Sequence, residues 1–206
     1  MSFDVQLTKQ LGNTRIELRI CAGPGITVLV GPSGVGKSSV LNMVAGLLRP
    51  DSGHIQVSGE TLYDHRAGID LPPEQRHAGY VFQDSRLFPH LRVIENLRYG
   101  ERRATAGKSA FALEEISALL GIEALLQRWP RTLSGGEARR VAIGRALLSG
   151  ARFLLLDEPL SFVDRARREE ILRLIERLRD ELALPMLYVT HDPDEARWLA
   201  TTLVAI

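Results

Sequence analysis

A glycine-rich segment that ends in lysine and serine is the first part of this sequence that could do chemistry. Glycine lets the backbone turn tightly, so that its N–H groups point inward at phosphate oxygens. Lys37 supplies a positive charge for the β and γ phosphates of a nucleotide, and the Ser38 hydroxyl suits a Mg²⁺ ion. We therefore predict a nucleotide-binding loop, called here the phosphate loop, that consists of Gly31, Pro32, Ser33, Gly34, Val35, Gly36, Lys37, Ser38 and Ser39.

Two adjacent carboxylates follow an apolar stretch further along the chain. Residues 153–156 are Phe-Leu-Leu-Leu, which is typical of a buried strand, and Asp157 and Glu158 come directly after them. The carboxyl end of a parallel strand is where such sheets bind ligands. Asp157 is placed to hold Mg²⁺, directly or through water, and Glu158 is placed to polarise the attacking water. A solvated Asp-Glu pair is the ordinary explanation at a strand end, but the upstream phosphate loop favours the catalytic one.

Gln83 and His191 each end an apolar stretch and are weaker candidates when taken singly. A histidine at such a position is more often a satisfied surface residue than a catalytic group. Both strands should nevertheless end at the sheet edge that carries the phosphate loop. We therefore predict that Gln83 binds nucleotide and senses Mg²⁺ or water, and that His191 contacts the γ-phosphate and orients the water. His191 joins Glu158 and Lys37 in the predicted catalytic set.

A second glycine-containing motif, Leu-Ser-Gly-Gly-Glu at residues 133–137, precedes a predicted helix. Ser134 at the N-cap, followed by Gly135 and Gly136, leaves N–H groups and the positive end of the helix dipole exposed to an anion. An ordinary N-cap after a glycine turn is the simpler explanation. A helical segment separates this motif from the phosphate loop, so one nucleotide should not bridge both within one chain. We expect a second chain, related by two-fold symmetry, to contribute the motif, including Glu137.

Hydrophobic periodicity predicts alternating strands and helices, and hence an α/β fold with a mostly parallel core sheet. Two antiparallel strands, at residues 3–8 and 15–20, should precede it. The pattern is helical between about residues 86 and 150, so we expect one domain with core segments 1–85 and 151–206 and an inserted helical subdomain. The other expectations are strands at residues 26–30, 54–57, 80–82, 153–156 and 186–189, helices at 38–45, 93–127, 134–148 and 171–182, and a polar loop at 67–75.

Composition argues against several classes of protein. The chain has 206 residues and a formal net charge of +1, so bulk charge does not indicate a nucleic-acid binder. Its single cysteine, Cys21, cannot form an internal disulfide, which suggests a reducing compartment. We recognise no secretion signal and no apolar stretch long enough to span a bilayer. Any work at a membrane would therefore go through a partner.

With its motifs in this order, the chain resembles the nucleotide-binding subunits of ABC transporters over nearly its whole length. The resemblance implies a P-loop NTPase that has an N-terminal antiparallel β subdomain and binds ATP with Mg²⁺, the metal being held by Ser38, Gln83 and Asp157. The matching positions are the Walker A loop at residues 31–38, the Q-loop Gln83, the signature at 133–137, the Walker B strand at 153–157 with Glu158, the D-loop Asp164 and the switch His191.

The resemblance also implies partners. The family forms a head-to-tail homodimer in which each ATP lies between the Walker A loop of one chain and the signature of the other. Closure of the dimer drives integral membrane permease subunits, and ATP hydrolysis resets them. A soluble substrate-binding protein acts indirectly, and no nucleic acid is involved. We therefore expect a peripheral protein on the cytoplasmic face of the inner membrane.

Within the family, the chain is most similar to the subgroup that powers molybdate importers. Glu137, where many relatives have glutamine, fits that subgroup. The similarity also lies in runs that do not contact the transported substrate, at residues 79–90, 96–100, 119–123 and 185–191. The resemblance therefore implies uptake of a small oxyanion, molybdate first, with sulfate, phosphate or another small solute as alternatives.

Three features depart from the family pattern. The D-loop carries the bulkier Phe162 and Val163 before Asp164. Leu7 and Thr8 lie where relatives have an aromatic residue that stacks on adenine. The molybdate subgroup adds a C-terminal oxyanion-sensing domain, and we expect no such regulatory domain here because the sequence ends soon after the switch histidine.

Two other classes of protein share parts of this motif set. DNA-repair and chromosome ATPases carry a signature, but a long coiled coil normally separates their motifs, and no heptads are present here. Small-molecule kinases carry a phosphate loop but need no signature. One further segment, residues 87–91, could form an apolar groove for a helix of a membrane subunit or could pack within the helical subdomain.

Overall fold

The structure, a computed structural model, describes residues 1–103, 111–161, 163 and 165–206. Three short 3₁₀ turns lie at Pro73–Gln75, Glu123–Leu125 and Pro130–Thr132. The strands are β1 (Phe3–Leu11), β2 (Thr14–Ala22), β3 (Ile26–Val30), β4 (Ser52–Val57), β5 (Glu60–Asp64), β6 (Ile69–Asp70), β7 (Ala78–Val81), β8 (Phe153–Asp157), β9 (Met186–Thr190) and β10 (Thr202–Ala205). The helices are α1 (Lys37–Ala45), α2 (Val93–Arg103), α3 (Leu113–Leu120), α4 (Gly135–Leu148), α5 (Arg165–Leu182) and α6 (Pro193–Leu199).

A parallel sheet with strand order β10-β3-β9-β8-β7 forms the centre of the fold. Every neighbouring pair in it is parallel. Strands β8 and β9 are buried along their whole length, as expected for strands that are covered on both faces. The segments that follow β3, β9, β8 and β7 therefore emerge side by side at one edge of the sheet.

An antiparallel sheet with strand order β2-β1-β4-β5-β6 packs against one side of this centre. Its apolar face, α1 and one face of the parallel sheet share a single hydrophobic core. Phe3 of β1 meets Phe153 of β8 edge to face, with ring centroids 6.0 Å apart. The predicted antiparallel N-terminal strands are therefore present, and they hold α1 against the parallel sheet.

Helices α2 to α6 enclose a second core on the opposite face of the parallel sheet. Helix α4 is central among them and contacts α2, α3, α5 and β7. It approaches α2 closely at Gly100, where a Cβ atom would lie 2.3 Å from the Arg145 carbonyl oxygen. Only glycine permits this close approach of α4 to α2. Helix α4 also contacts β7.

Several sequence predictions need correction. The polar loop predicted at residues 67–75 contains β6, which pairs with β5, and a 3₁₀ turn. The helical stretch predicted from 93 to 127 consists of α2, α3 and a 3₁₀ turn, with residues 104–110 outside the described part. The predicted strand at 80–82 ends at Val81. Strands β5 and β10 and helix α6 were not predicted. No helix within the described ranges has both the length and the apolar character needed to span a membrane.

Candidate functional site

The predicted site residues converge on one edge of the parallel sheet, called here the sheet edge. The phosphate loop follows β3, His191 follows β9, Asp157 ends β8 with Glu158 next to it, and Gln83 follows β7. Since β3, β9, β8 and β7 are neighbours in that order, the four segments lie next to each other. This is the edge at which open parallel sheets bind ligands.

Lys37 lies inside the phosphate loop and is only 4% exposed. Its ammonium donates hydrogen bonds to the carbonyl oxygens of Gly31 at 2.8 Å and Pro32 at 2.7 Å. Its Nζ atom is also 3.9 Å from Oε1 of Glu158. The loop thus surrounds a buried positive charge, which is what binding of a polyphosphate requires.

Gly36 precedes α1 in a conformation that other residues rarely adopt, with φ of 109°. A Cβ atom at this position would lie 2.5 Å from the Ile16 side chain of β2. Two independent constraints therefore require glycine here, and both keep the free N–H groups at the start of α1 facing the phosphate loop.

Asp157 is buried and accepts two hydrogen bonds. Ser38 Oγ donates to its Oδ1 at 2.8 Å, and the Tyr80 hydroxyl lies 3.3 Å from its Oδ2. The Tyr80 hydroxyl also lies 3.1 Å from Oδ1 of Asn42 on α1. Burial raises the pKa of the Asp157 carboxyl, an effect opposed by the hydrogen bonds from Ser38 and Tyr80. Burial next to Asp157 likewise raises the pKa of the Tyr80 phenol.

This pair of oxygen ligands fits Mg²⁺. Ser38 Oγ and Asp157 Oδ1 already lie at hydrogen-bond distance from each other, so one ion could contact both. The described residues contain no group of three or more His, Cys, Asp or Glu side chains around a metal position. Mg²⁺ keeps several waters and binds through one or two protein oxygens together with substrate phosphates, so a hydroxyl and a carboxylate suffice as its protein ligands.

Glu158 connects the remaining catalytic candidates. Its Oε2 accepts a hydrogen bond from Ser161 Oγ at 2.9 Å and lies 3.0 Å from Nδ1 of His191. Its backbone has a φ of 42°, which is uncommon for a residue with a side chain. The Glu158 N–H donates to the carbonyl oxygen of Val189 on β9, which holds this unusual turn in place. Strained backbone of this kind is frequent at active sites.

His191 is half exposed at 52%, whereas the Glu158 side chain beside it is mostly covered. One carboxylate therefore contacts a buried lysine through one oxygen and an accessible imidazole through the other. A water molecule next to such a carboxylate can be deprotonated or oriented by it. The predicted set of Lys37, Glu158 and His191 is thus brought together in the structure.

Gln83 is exposed and has no hydrogen bond to Ser38 or Asp157 among the described residues. Its side chain lines a cavity of about 410 Å³ together with Ser161, Gly135 and Arg139. This cavity lies between the sheet edge and the start of α4. The predicted role of Gln83 at Mg²⁺ therefore stays a prediction.

The signature forms the N-terminus of α4. Ser134 is the N-cap, and its Oγ accepts a hydrogen bond from the Glu137 N–H at 3.3 Å. Glu137 Oε2 accepts one from the Ser134 N–H at 2.7 Å, which completes a capping box. This second hydrogen bond, more than any other cause, lowers the pKa of the Glu137 carboxyl. The carboxylate of Glu137 therefore forms a hydrogen bond within its own chain. The predicted D-loop residue Asp164 lies outside the described residues.

Sequence reasoning missed four polar residues near the site. Tyr80 contacts Asp157, and Ser161 contacts Glu158. Asn42 contacts Tyr80, and Arg139 contacts the segment after β7. Only Tyr80 had a usable signal, since its hydroxyl lies in an otherwise apolar strand next to the strand that carries Asp157. The other three become visible only once the elements are placed.

Comparison with known proteins identifies the family. The sequence model described as ABC transporter matches residues 14–161, which include the phosphate loop, Gln83, the signature, Asp157 and Glu158. This chain belongs to the ABC transporter family. The resemblance inferred from the motifs is thereby confirmed.

Curated members of the ABC transporter family include close relatives of this chain. The molybdenum import ATP-binding protein ModC of Paramagnetospirillum magneticum is 53% identical over 200 residues, which are 97% of this chain and 55% of that protein. ModC of Rhodospirillum rubrum is 51% identical over 203 residues, covering 98% of this chain and 55% of that protein. The chain therefore spans about half the length of the curated relatives it matches.

Solved structures of ABC transporter ATPases share the fold. The dimeric structure of a bacterial ABC transporter cassette matches with a TM-score of 0.74 and 27% identity, covering 99% of this chain and 94% of that one. The cbiO1 protein of Clostridium perfringens, part of a transporter complex, matches with a TM-score of 0.79 and 27% identity, covering 98% and 83% of the two chains. The predicted α/β P-loop fold of the ABC type is confirmed.

Proposed function

We propose that this chain binds ATP together with Mg²⁺ and hydrolyses it to power an ABC importer. The observation that carries the proposal is the contact of Glu158 with both Lys37 and His191 at the sheet edge. A buried cation, a carboxylate and an accessible imidazole then face the place where the phosphate loop would hold a γ-phosphate. We treat residues 1–206 as a single ATPase unit with the core segments and the inserted helical subdomain described above.

Each site residue has a role in this proposal. The backbone of residues 31–36 binds phosphate oxygens, and Lys37 neutralises charge on the β and γ phosphates. Mg²⁺ held by Ser38 and Asp157, with Gln83 near it, would supply further positive charge at those phosphates. Glu158 accepts a proton from the attacking water at a carboxylate oxygen, and His191 holds that carboxylate and the γ-phosphate in position.

A second copy of the chain completes the site. The N–H groups of Gly135 and Gly136 at the start of α4, next to the N-cap Ser134, offer a binding surface for an anion. The dimeric cassette with 27% identity supports this arrangement. We propose that the signature binds the γ-phosphate of an ATP held by the partner chain and that Asp164 lies at the same dimer contact.

Phosphate release tests hydrolysis directly. The purified chain should release inorganic phosphate from ATP when Mg²⁺ is present and not when it is chelated. Glu158→Gln should lower kcat by a factor on the order of 10² to 10⁴ and leave ATP binding intact, since it removes the proton acceptor and keeps the shape. Glu169→Gln, on the exposed surface of α5, is the matched control and should retain wild-type kcat. Wild-type turnover in Glu158→Gln would remove Glu158 from this role.

For the transported substrate, we propose a small oxyanion, molybdate first. The ModC relatives at 53% and 51% identity support this choice.

We expect a peripheral protein on the cytoplasmic face of the inner membrane, docked on permease subunits. An apolar groove of about 330 Å³ beside the end of β7, lined by Tyr80, Phe82, Phe88 and Tyr99, is suited to receive a permease helix. Phe88 belongs to the predicted segment 87–91, whereas Leu87 and Pro89 line the cavity beside Gln83.

The substrate is tested with the reconstituted transporter. ATP hydrolysis by the chain with its permease should be stimulated by a binding protein loaded with molybdate and less by one loaded with sulfate or phosphate. If only the sulfate-loaded binding protein stimulated hydrolysis, the proposed ATPase activity would stand and the proposed substrate would change from molybdate to sulfate. Stimulation by DNA in the absence of permease would contradict a role in transport.

A further inference from the structure

Arg139 of α4 is a deeply buried charged group that the proposed chemistry does not use. It is 3% exposed. Its guanidinium donates hydrogen bonds to the carbonyl oxygens of Phe82 and Gln83, the two residues that follow β7. Its Nε–H has no hydrogen-bond partner in the described part of the chain. Burial is the main cause that lowers the pKa of this guanidinium.

This arrangement is costly for a purely structural residue. A buried donor without a partner destabilises the folded state. Phe82 is half-buried and Gln83 is exposed, so water in the adjoining cavity could satisfy their carbonyl oxygens instead. Stability alone therefore does not explain why an arginine lies here.

The same helix holds the rest of the segment after β7. Arg145 donates to the carbonyl oxygens of Ser85 at 3.2 Å and Arg86 at 2.8 Å. Ser85 and Arg86 have φ values of 60° and 41°, so the backbone is wound in the left-handed region. Two arginines of α4 thus bind carbonyl oxygens along residues 82–86, and Arg139 binds the part that carries Gln83.

Helix α4 begins at the signature. Arg139 is in its second turn, after the N-cap Ser134, and the cavity beside it is lined by both Gly135 and Gln83. Because a helix moves as a stiff element, a displacement of the signature would be passed through Arg139 to the backbone of Gln83. The hydrogen bonds to the Gln83 and Phe82 carbonyls leave the Gln83 side chain free to face the sheet edge.

We propose that Arg139 is a positioning residue that ties Gln83 to the signature helix, so that the place of the Gln83 side chain depends on the place of α4. The proposal rests on the proposed ATP hydrolysis, since it concerns a residue of that site. It predicts that Arg139 acts on turnover through Gln83 and not through the general stability of the fold.

A double-mutant cycle tests this dependence. Steady-state kcat and KM for ATP hydrolysis would be measured for the wild type, Arg139→Met, Gln83→Ala and the double variant, well below their unfolding temperatures. Arg139→Met should lower kcat by roughly ten-fold with KM within about two-fold of the wild type, and the double variant should match Gln83→Ala within about two-fold. Arg152→Met is the control, since Arg152 is an exposed arginine whose side chain forms an ion pair with Glu60.

The outcomes separate the possible errors. Equal kcat in Arg139→Met and the wild type, or single effects that multiply in the double variant, would overturn the proposal. If Arg139→Met does not fold, Arg139→Lys, which keeps one donor, should show the same non-additivity with a smaller loss of kcat. Absence of hydrolysis by the wild-type chain would contradict the proposed function instead. Hydrogen exchange in nucleotide-free protein adds a readout without activity: Arg139→Met should expose the Ser85 amide and spare those of α4.

Discussion

The sheet edge and the signature are built in different ways. At the sheet edge, the segments after three neighbouring strands, β3, β9 and β8, place titratable groups that contact one another, as in the contacts of Glu158 with Lys37 and His191. At the signature, one helix supplies one cap, and the only charged side chain of the motif, Glu137, is hydrogen-bonded back to Ser134. The sheet edge therefore has an ammonium group, carboxylates and an imidazole of its own, whereas the signature offers only backbone N–H groups and a serine.

This difference indicates a division of work. Groups that must act in a fixed geometry come from strand ends, which the sheet holds in register. A helix N-terminus that begins with two glycines, of which Gly135 is exposed and Gly136 is buried, can bind an anion through its N–H groups but supplies no acid or base to it. The sheet edge should therefore bind nucleotide without help from the signature of a second chain. The signature should affect only the rate of ATP hydrolysis. The variants below test that contrast, from the largest expected effect to the smallest.

Lys37→Ala should have the largest effect on nucleotide binding, because it removes the buried charge of the phosphate loop. ATP affinity of the isolated chain should fall by a factor on the order of 100, the usual consequence of truncating one partner of a buried charged contact. Titration calorimetry measures it. Lys9→Ala, which removes a lysine paired with Asp51 away from the site, should bind ATP like the wild type. Equal affinity in both variants would show that the phosphate loop does not hold the nucleotide.

Ser134→Arg should abolish turnover and leave nucleotide binding almost unchanged. The larger, charged side chain blocks the anion surface at the start of α4, but the phosphate loop is untouched. We expect kcat close to background and an ATP dissociation constant within about two-fold of wild type for the monomer. Ser134→Ala loses only the cap and should be destabilised by about 1 kcal/mol. Loss of ATP affinity in the Ser134→Arg monomer would mean that the signature acts within its own chain.

Tyr80→Phe should have a moderate effect that is confined to the sheet edge. It removes the hydroxyl that contacts Asp157 at 3.3 Å and so leaves that carboxylate less well oriented. The Mg²⁺ concentration for half-maximal hydrolysis should rise a few-fold, with little change in unfolding temperature. Tyr63→Phe, which also loses a buried hydrogen bond, to the carbonyl of Pro50, should not change the Mg²⁺ dependence. If the Mg²⁺ concentration for half-maximal hydrolysis rose equally in both variants, the effect would come from a general loss of stability and not from the contact of Tyr80 with Asp157.

Glu137→Gln should have the smallest effect, on acid stability alone. The folded state lowers the pKa of Glu137 below its ordinary value near 4.5, chiefly through the hydrogen bond from the Ser134 N–H. The stabilisation is therefore complete above that ordinary value and is lost as the pH falls through the lower pKa of the folded state. Glutamine keeps an acceptor but does not titrate, so the variant should lose less stability between pH 5 and pH 3. We expect a difference below about 1 kcal/mol in chemical denaturation.

The sheet edge was largely predictable from sequence because each of its motifs follows an apolar strand. Parallel strands end at one edge, so Asp157, His191 and Gln83 could be grouped before their order in the sheet was known. Tyr80 was not found, because its hydroxyl gains meaning only when β7 is known to lie beside β8. Arg139 was not found either, because an arginine in a helix ordinarily faces solvent.

The errors in the fold have a similar origin in long-range contacts. Strand β6 lies in a polar segment with no alternating pattern, and Arg76 holds the end of this strand in place through hydrogen bonds. The guanidinium of Arg76 is buried and donates to Asp70 and to the carbonyl oxygens of Leu71 and Met43. The contact with Met43 joins residues that are 33 positions apart in sequence, so a local pattern cannot predict it. The sequence analysis predicted Ser134 as an N-cap but not its capping box with Glu137, although the three-residue spacing of the two is visible in the sequence.

Mixing two inactive variants tests the division between sheet edge and signature most directly. Glu158→Gln keeps a working signature, and Ser134→Arg keeps a working sheet edge. A dimer of one chain of each kind has one site in which the sheet edge and the signature are both intact, so an equal mixture should recover about a quarter of wild-type ATPase activity. A mixture no more active than the two variants measured separately would contradict the account, because the signature would then not complete the site of a second chain.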